Sequence, residues 1–276
     1  MKPIRFAQIS DTHLRSHAKD AGMLDQVFDK LPDGDAALAG ALDELAAQKL
    51  DFVLCCGDLV HEGIAEDYAR MRAIVDEHLP ETPFVVCLGN HDRKAPFYEG
   101  YLGESGAADV PYCAVRDIRG LRIVVVDSAC SGGESGKFAD GEISWLREQL
   151  EGAGELGSIV IYHHPATFDP DQFAMRDDAG LAEVLREANV RAVFNGHTHS
   201  NDIRHFVGVP QITADSTLFG CAADSEFFAF TDKASYNLLT LDDTGLSLKN
   251  VTLNPKPNAA VKIPLKTMME ALAKLG

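Results

Sequence analysis

Apolar and polar positions alternate in blocks along this chain. Short apolar runs occupy residues 4–9, 52–56, 84–88, 121–126, 159–162 and 191–194. Their length and polar flanks predict strands, and the near-continuous β-branched residues of 121–126 predict burial on both sheet faces. Between these runs apolar residues recur at helical spacing. Leu38, Leu42, Leu45 and Ala46 mark a helix over 36–48, and further helices are expected over 64–78, 142–150 and 179–188. The β-α-β-α rhythm predicts an α/β protein with helices covering its sheets.

After residue 200 the rhythm changes. Strands are expected at 203–207, 211–214 and 236–241, and Asp242-Asp243-Thr244-Gly245 is a turn signal that makes 246–253 the hairpin partner. This strand-rich third is expected to complete a second sheet. Three prolines within 254–264 predict an extended tail, and 266–275 a short amphipathic helix packed on its own domain. Residues 1–253 are thus expected to form one domain and 254–276 a C-terminal tail.

Composition narrows the class. A chain of 276 residues with 46% hydrophobic and 24% charged side chains is a folded protein rather than a disordered or fibrous one. It is long enough to need no disulfides. Of the six cysteines, Cys55, Cys56 and Cys87 fall inside strand runs and read as buried free thiols. There is no C-x-x-C pair to suggest a zinc ribbon or a thioredoxin-type redox site. The first residues lack a signal-peptide pattern and no run approaches ~18 apolar residues, so a cytoplasmic location is expected. The net charge of −17 weighs against surfaces for polynucleotides or anionic lipid, and neither is expected as a partner.

The chemistry sits where the strands stop. In open α/β sheets ligands bind beyond the carboxyl ends of the strands. Five predicted strands run into candidate metal ligands: Asp11-Thr12-His13, Gly57-Asp58, Gly89-Asn90-His91-Asp92, His163-His164-Pro165 and Gly196-His197-Thr198-His199. Taken alone the motifs differ in weight: Asp-x-His is weak, Gly-Asp is usually a turn and a His-His pair usually structural, whereas Gly-Asn-His-Asp is stronger and Gly-His-x-His moderately specific. Five of the ten histidines at strand ends exceed what independent turns would give. Glycine before Asn90 is expected to permit a tight turn that lets short side chains converge. Imidazole, carboxylate and amide donors without cysteine suit manganese, iron or zinc in an open site rather than a closed structural one. Two divalent ions held by two carboxylates leave a net positive centre, which is how an acidic protein can hold a phosphate.

In this order and spacing the motifs resemble the calcineurin-like metallophosphoesterase superfamily. Trp145-Leu146, His163-His164-Pro165 and Gly208-Val209-Pro210 are most similar to its class III cyclic nucleotide phosphodiesterase branch, which also contains glycerophosphodiesterases. The resemblance implies a four-layer αββα sandwich of two mixed sheets flanked by helices. It implies a metal held by Asp11, His13, Asp58 and His199, and a second held by Asp58, Asn90, His163 and His197, with Asp58 shared. His163 rather than His164 is the implied ligand, because strand alternation would turn the next side chain away. His91 is implied to face the substrate phosphate and protonate the leaving oxygen, with Asp92 orienting it. The implied cofactors are two divalent metal ions (Mn2+, Fe2+/Fe3+ or Zn2+). The implied reaction is hydrolysis of a small phosphodiester, cyclic nucleotides first, by attack of a metal-bridging hydroxide on phosphorus. Ala166 and the segment 93–102 depart from the family pattern, and both bear on the substrate rim rather than on a ligand.

The same centre would serve a phosphomonoesterase or a glycerophosphodiesterase. A nuclease is disfavoured by charge, and a non-catalytic scaffold by the intact ligand set. Whether the C-terminal strands and tail pair two copies into a homodimer or cap the site stays open. His17 and His61 are expected as exposed loop residues more than rim residues, His78 as a helix-end cation and His205 as structural. Phe97, Tyr98 and Tyr101 are expected in core packing before an aromatic wall for a base.

Overall fold

The computed structural model describes residues 2–16, 23–105, 110–129, 135–167, 174–175 and 179–273. His17 and Cys130 lie outside the described residues. In chain order the first half comprises β1 (Ile4–Ile9), β2 (Leu14–Arg15), α1 (Met23–Phe28), α2 (Gly34–Ala46), β3 (Phe52–Cys56), β4 (Val60–His61), α3 (Ala65–His78), β5 (Phe84–Cys87), α4 (Lys94–Gly100), β6 (Ala114–Ile118) and β7 (Leu121–Val125). Then come α5 (Glu142–Glu151), β8 (Ser158–Ile161), α6 (Ala179–Glu187), β9 (Val190–Asn195), β10 (Asp202–Phe206), β11 (Val209–Thr213), β12 (Gly220–Ala223), β13 (Phe227–Thr231), β14 (Ser235–Asp242), β15 (Gly245–Thr252), β16 (Ala259–Pro264) and α7 (Leu265–Leu272).

Two mixed sheets carry the fold. One has the order β15-β14-β1-β3-β5 and the other β10-β11-β9-β8-β7-β6. In the first, β1, β3 and β5 are parallel, and β14 and β15 are antiparallel additions at its edge. In the second, β7, β8, β9 and β11 are parallel, with β6 and β10 antiparallel at the two edges.

Burial explains the layering. All five residues of β3 are buried, so both its faces need a partner. Phe6, Phe52, Leu54, Ile123, Ile159, Ile161 and Phe194 fill the space between the two sheets, with Phe6 stacked on Phe52 at 4.6 Å. The opposite face of the first sheet packs Ala7, Ile9 and Val53 on Leu38, Leu42, Tyr68 and Met71 of α2 and α3. The opposite face of the second packs Val124, Val160 and Val193 on Leu146 of α5 and Leu181, Val184 and Leu185 of α6. The result is the four-layer αββα sandwich expected from the resemblance. Helix α2 starts where the Asp33 carboxylate accepts the Ala36 N–H at 3.0 Å.

Two differences from the sequence reading matter. Residues 259–264, expected as extended tail, are extended but hydrogen-bonded: β16 pairs with β13 in a three-stranded sheet, β12-β13-β16. Val27, Phe28, Leu218, Phe219, Phe230 and Met268 form a separate small core beneath it. Second, β2 and β4 form a two-stranded parallel pair beyond the ends of β1 and β3, lacing the first two motif loops together.

Phe97 is buried in T-shaped contact with Tyr68 and Tyr112 and stacked on Tyr101 at 5.2 Å, so these rings are core packing, as expected. Cys55, Cys56 and Cys87 are buried free thiols. His205 is exposed on β10, whereas His78 meets Asp43 at 2.7 Å. Among the described residues no helix is long and apolar enough to cross a membrane.

Candidate metal centre

The five motifs follow β1, β3, β5, β8 and β9, which are parallel within each sheet, and their side chains meet between the two sheets. Asp11, His13, Asp58 and His163 are almost wholly buried, and His199 is buried beside them. Asp58 lies at the middle: its Oδ2 is 3.5 Å from His13 Nε2 and 3.3 Å from His163 Nε2. On one side His199 Nε2 is 3.3 Å from Asp11 Oδ1 and 3.2 Å from His13 Nε2. On the other, His163 Nε2 is 3.2 Å from Asn90 Oδ1. Asp11, His13 and His199 form one group whose donor atoms lie within 4.8 Å of one another, and Asp11, Asp58 and His163 form another.

The loops that hold these side chains are bent into a conformation few residues adopt. Asp11, His13, Asp58, His197 and His199 all have positive φ, between 41° and 74°. Each such residue costs on the order of 1–3 kcal/mol and persists only where neighbours over-determine it. Here backbone bonds run from loop to loop: Asp11 N donates to Gly57 O at 3.0 Å, His13 N to Asp58 O at 2.9 Å and Gly196 N to His163 O at 3.0 Å. The Ser216 hydroxyl donates to Asp11 O at 2.6 Å. The His197 N–H donates to both Asp11 oxygens at 3.1 Å, and the His91 N–H to Asp58 Oδ1 at 2.9 Å.

Glycine serves this crowding in two ways, and the expected tight turn does form at Gly89, closed by Asp92 N donating to Gly89 O at 3.1 Å. Gly89 is not among the left-handed residues. A Cβ there would come within 2.2 Å of Asp58 Oδ1, and one on Gly196 within 2.6 Å of Asp11 Oδ2. The missing side chain thus makes room for a carboxylate as well as for the turn.

The donor chemistry fits metal ions. Two buried carboxylates converge on imidazoles, and among the described residues no lysine or arginine pairs with either carboxylate. Buried charges are paired or coordinate metals. Desolvation pushes His13 and His197 well below the ordinary imidazole value, partly offset by Asp58, and so favours the neutral ring that binds a cation. Burial also opposes a charge on His163, but Asp58 and Asp11 hold it up to about 10. Asp58 resists its own desolvation through His163, His91 and His13, which draw its carboxyl well below the usual range. A cation binding between them takes over the role of that proton.

Three placements depart from the sequence reading. Asp92, expected to orient His91, directs its carboxylate elsewhere: it accepts from the N–H groups of Leu59, Val60 and Gly89 and from the Tyr68 hydroxyl, at 2.9–3.1 Å. It knits the second and third motif loops together. His164 is not turned away, because the chain leaves β8 before it and strand alternation no longer applies. Its ring is buried 4.5 Å from that of His197, and its Nδ1 meets Ser128 Oγ at 2.9 Å. His61 is not an exposed loop residue: its ring lies 4.5 Å from that of His91 and 5.0 Å from that of Phe28. Sequence reasoning also missed Glu62, whose Oε1 is 3.5 Å from His91 Nδ1. Nothing local in the sequence announces that contact, which joins loops thirty residues apart.

Against this geometry the comparisons with known proteins are clear. The Calcineurin-like phosphoesterase family matches residues 4–201, and the chain belongs to it. A probable cyclic nucleotide phosphodiesterase of Rhodococcus erythropolis is 33% identical over 227 residues, 79% of this chain and 72% of that protein. A cAMP/cGMP dual specificity phosphodiesterase of Mycobacterium tuberculosis is 32% identical over 76% of this chain and 66% of its own length. A glycerophosphodiester phosphodiesterase of Enterobacter lignolyticus is 32% identical over 71% of this chain and 70% of its own. Among solved structures, a dimetal phosphatase from Danio rerio matches the fold with a TM-score of 0.56 at 13% identity, covering 91% of this chain and 98% of that one. The chain is thus a metallophosphoesterase, a hydrolase acting on phosphodiesters, and its family implies a dinuclear divalent metal centre.

Proposed function

We propose that this chain hydrolyses small phosphodiesters, 3′,5′-cyclic nucleotides first among them. The observation that carries the reading is the position of Asp58, with His13 on one side of its Oδ2 and His163 on the other. Asp11, His13, Asp58 and His199 would hold one ion, and Asp58, Asn90, His163 and His197 the second. Manganese, iron or zinc suits this nitrogen and oxygen set. When bound, the two ions supply Lewis acidity toward phosphoryl oxygens and lower the pKa of water toward ~7. The chain does the rest. Asp58 keeps both halves in register. The buried loops exclude bulk water from all but the open face, where His91 is 22% exposed. From there the His91 ring reaches the leaving oxygen and donates a proton to it, a step worth ~10²–10⁴-fold.

The names of the Rhodococcus and Mycobacterium relatives support the substrate class. The Enterobacter relative supports a glycerophosphodiester as the second reading. Free thiols at Cys55, Cys56 and Cys87 fit a reducing compartment, and we assign the cytoplasm. The test is metal analysis of the purified protein combined with turnover on 2′,3′- and 3′,5′-cyclic nucleotides, a glycerophosphodiester, and bis- and mono-p-nitrophenyl phosphate. Two ions per chain and highest kcat/KM on a 3′,5′-cyclic nucleotide are expected. Preference for the monoester would end the diesterase assignment.

A further inference from the structure

We infer that Glu62 is the positioning residue for His91, holding the ring by Nδ1 so that Nε2 is the atom that passes a proton to the leaving oxygen. The inference rests on the phosphodiesterase reading and deepens it.

Glu62 grips the third motif loop at three points. Its backbone N–H donates to His91 O at 3.0 Å. Its Oε1 faces His91 Nδ1 at 3.5 Å. Its Oε2 accepts from Arg93 Nε at 3.0 Å, which fixes the plane of the carboxylate. The outer-range distance to Nδ1 is what catalytic contacts often show before substrate binds. The residue reaches this position through left-handed backbone, with φ of 50°, which a glutamate adopts only where surroundings enforce it. The preceding residue adds a second constraint, since the His61 ring lies across that of His91 at 4.5 Å and 39°. Asp92, the carboxylate nearest in sequence, is occupied by three backbone donors and Tyr68. Glu62 is therefore the carboxylate placed to set the ring.

A proton donor whose Nδ1–H is held by a carboxylate presents Nε2 in a fixed direction, and effective transfer depends on that alignment. In the reaction the Nε2–H proton moves to the leaving oxygen as its bond to phosphorus breaks, and the ring regains a proton from solvent. The demand is high when the leaving group is an alkoxide, as in a cyclic nucleotide. It is low when the leaving group is a stabilised aryloxide.

The experiment compares wild type, Glu62→Gln and Glu62→Asp, loaded with Mn2+, on a 3′,5′-cyclic nucleotide and on bis(p-nitrophenyl) phosphate. Glu62→Gln is expected to lose kcat on the cyclic nucleotide by about 10- to 100-fold and at least about tenfold less on the aryl diester, with KM and metal content unchanged. Glu62→Asp is expected to recover part of the difference. Equal losses on both substrates, loss of metal, or an undiminished rate on the cyclic nucleotide overturns the inference. Should Glu62→Gln fail to fold, the imidazole 15N spectrum of the wild type decides: a proton on Nδ1 of His91 supports the inference, and a bare Nδ1 overturns it. Failure of the broader reading is distinguishable, because wild type would then turn over no diester at full metal loading.

Discussion

The parallel and the antiparallel parts of the two sheets have different tasks. The parallel strands β1, β3 and β5 of one sheet and β8 and β9 of the other deliver the candidate ligands into one cleft. The hairpin β14–β15 reverses direction, and its turn carries Asp242 bonded locally to Thr244 N at 2.7 Å. Between these extremes lie the outer parallel strands. Asp127 follows β7, and Asp215 follows β11, so both share the strand-end position of the ligands. Yet Asp215 meets Lys233 at 3.0 Å and accepts from Ser235 and Asn201, while Asp127 lies 3.6 Å from Lys94. Strand-end carboxylates are thus sorted by their company. Those with a lysine are already paired, and those facing imidazoles are the ones proposed to hold metal.

The largest test of that sorting is Asp58→Ala. It is expected to strip metal and lower kcat by more than the roughly 10³-fold lost with a single transition-state donor, checked by elemental analysis beside steady-state rates. His91→Ala should keep both ions yet lose about 10²–10⁴-fold in turnover on a cyclic nucleotide. If metal leaves with His91, the division between ligand and proton donor is misplaced. Chelation should lower the thermal midpoint, and Mn2+ at a hundred times its Kd should return about 2.7 kcal/mol of stability, read from melts across a metal titration. Asp215→Ala breaks the other class of carboxylate. It is expected to cost about 1–3 kcal/mol in urea unfolding, through donors left buried, while metal content holds. Asp242→Ala, at the exposed hairpin turn, should stay within about 0.5 kcal/mol by the same measurement.

Most of the sandwich was legible because its strands are short apolar runs that stop abruptly at polar residues. The runs at 4–9 and 52–56 coincide with β1 and β3, and the helix expected over 64–78 begins one residue later. Two of the strands that escaped notice have weak contrast, while β13, Phe-Phe-Ala-Phe-Thr, escaped although it is an apolar run. β12 reads Gly-Cys-Ala-Ala, with three of its four residues exposed, and β16 ends in a proline and buries none of its residues fully, so neither shows a two-residue period. The candidate site was legible because strand ends are local in sequence. What surrounds it was not. Asp92 adjoins His91 in the chain but faces the β3 loop, whereas Glu62, distant in sequence, is bound to the third loop through its N–H to His91 O. The left-handed backbone at Asp11, His13 and Asp58 is likewise imposed by bonds between loops and leaves no trace in composition.

The spread of the cleft residues across the chain has a consequence for synthesis. Asp11, His13, Asp58 and Asn90 leave the ribosome well before His163, His197 and His199 have been made. The emerging half holds both carboxylates of the set, Asp11 and Asp58, but a single ring. Ser216, whose hydroxyl braces the Asp11 loop, and β14, which seals the edge beside β1, come later still. The full set of candidate ligands therefore comes together only after the second sheet has docked upon the first.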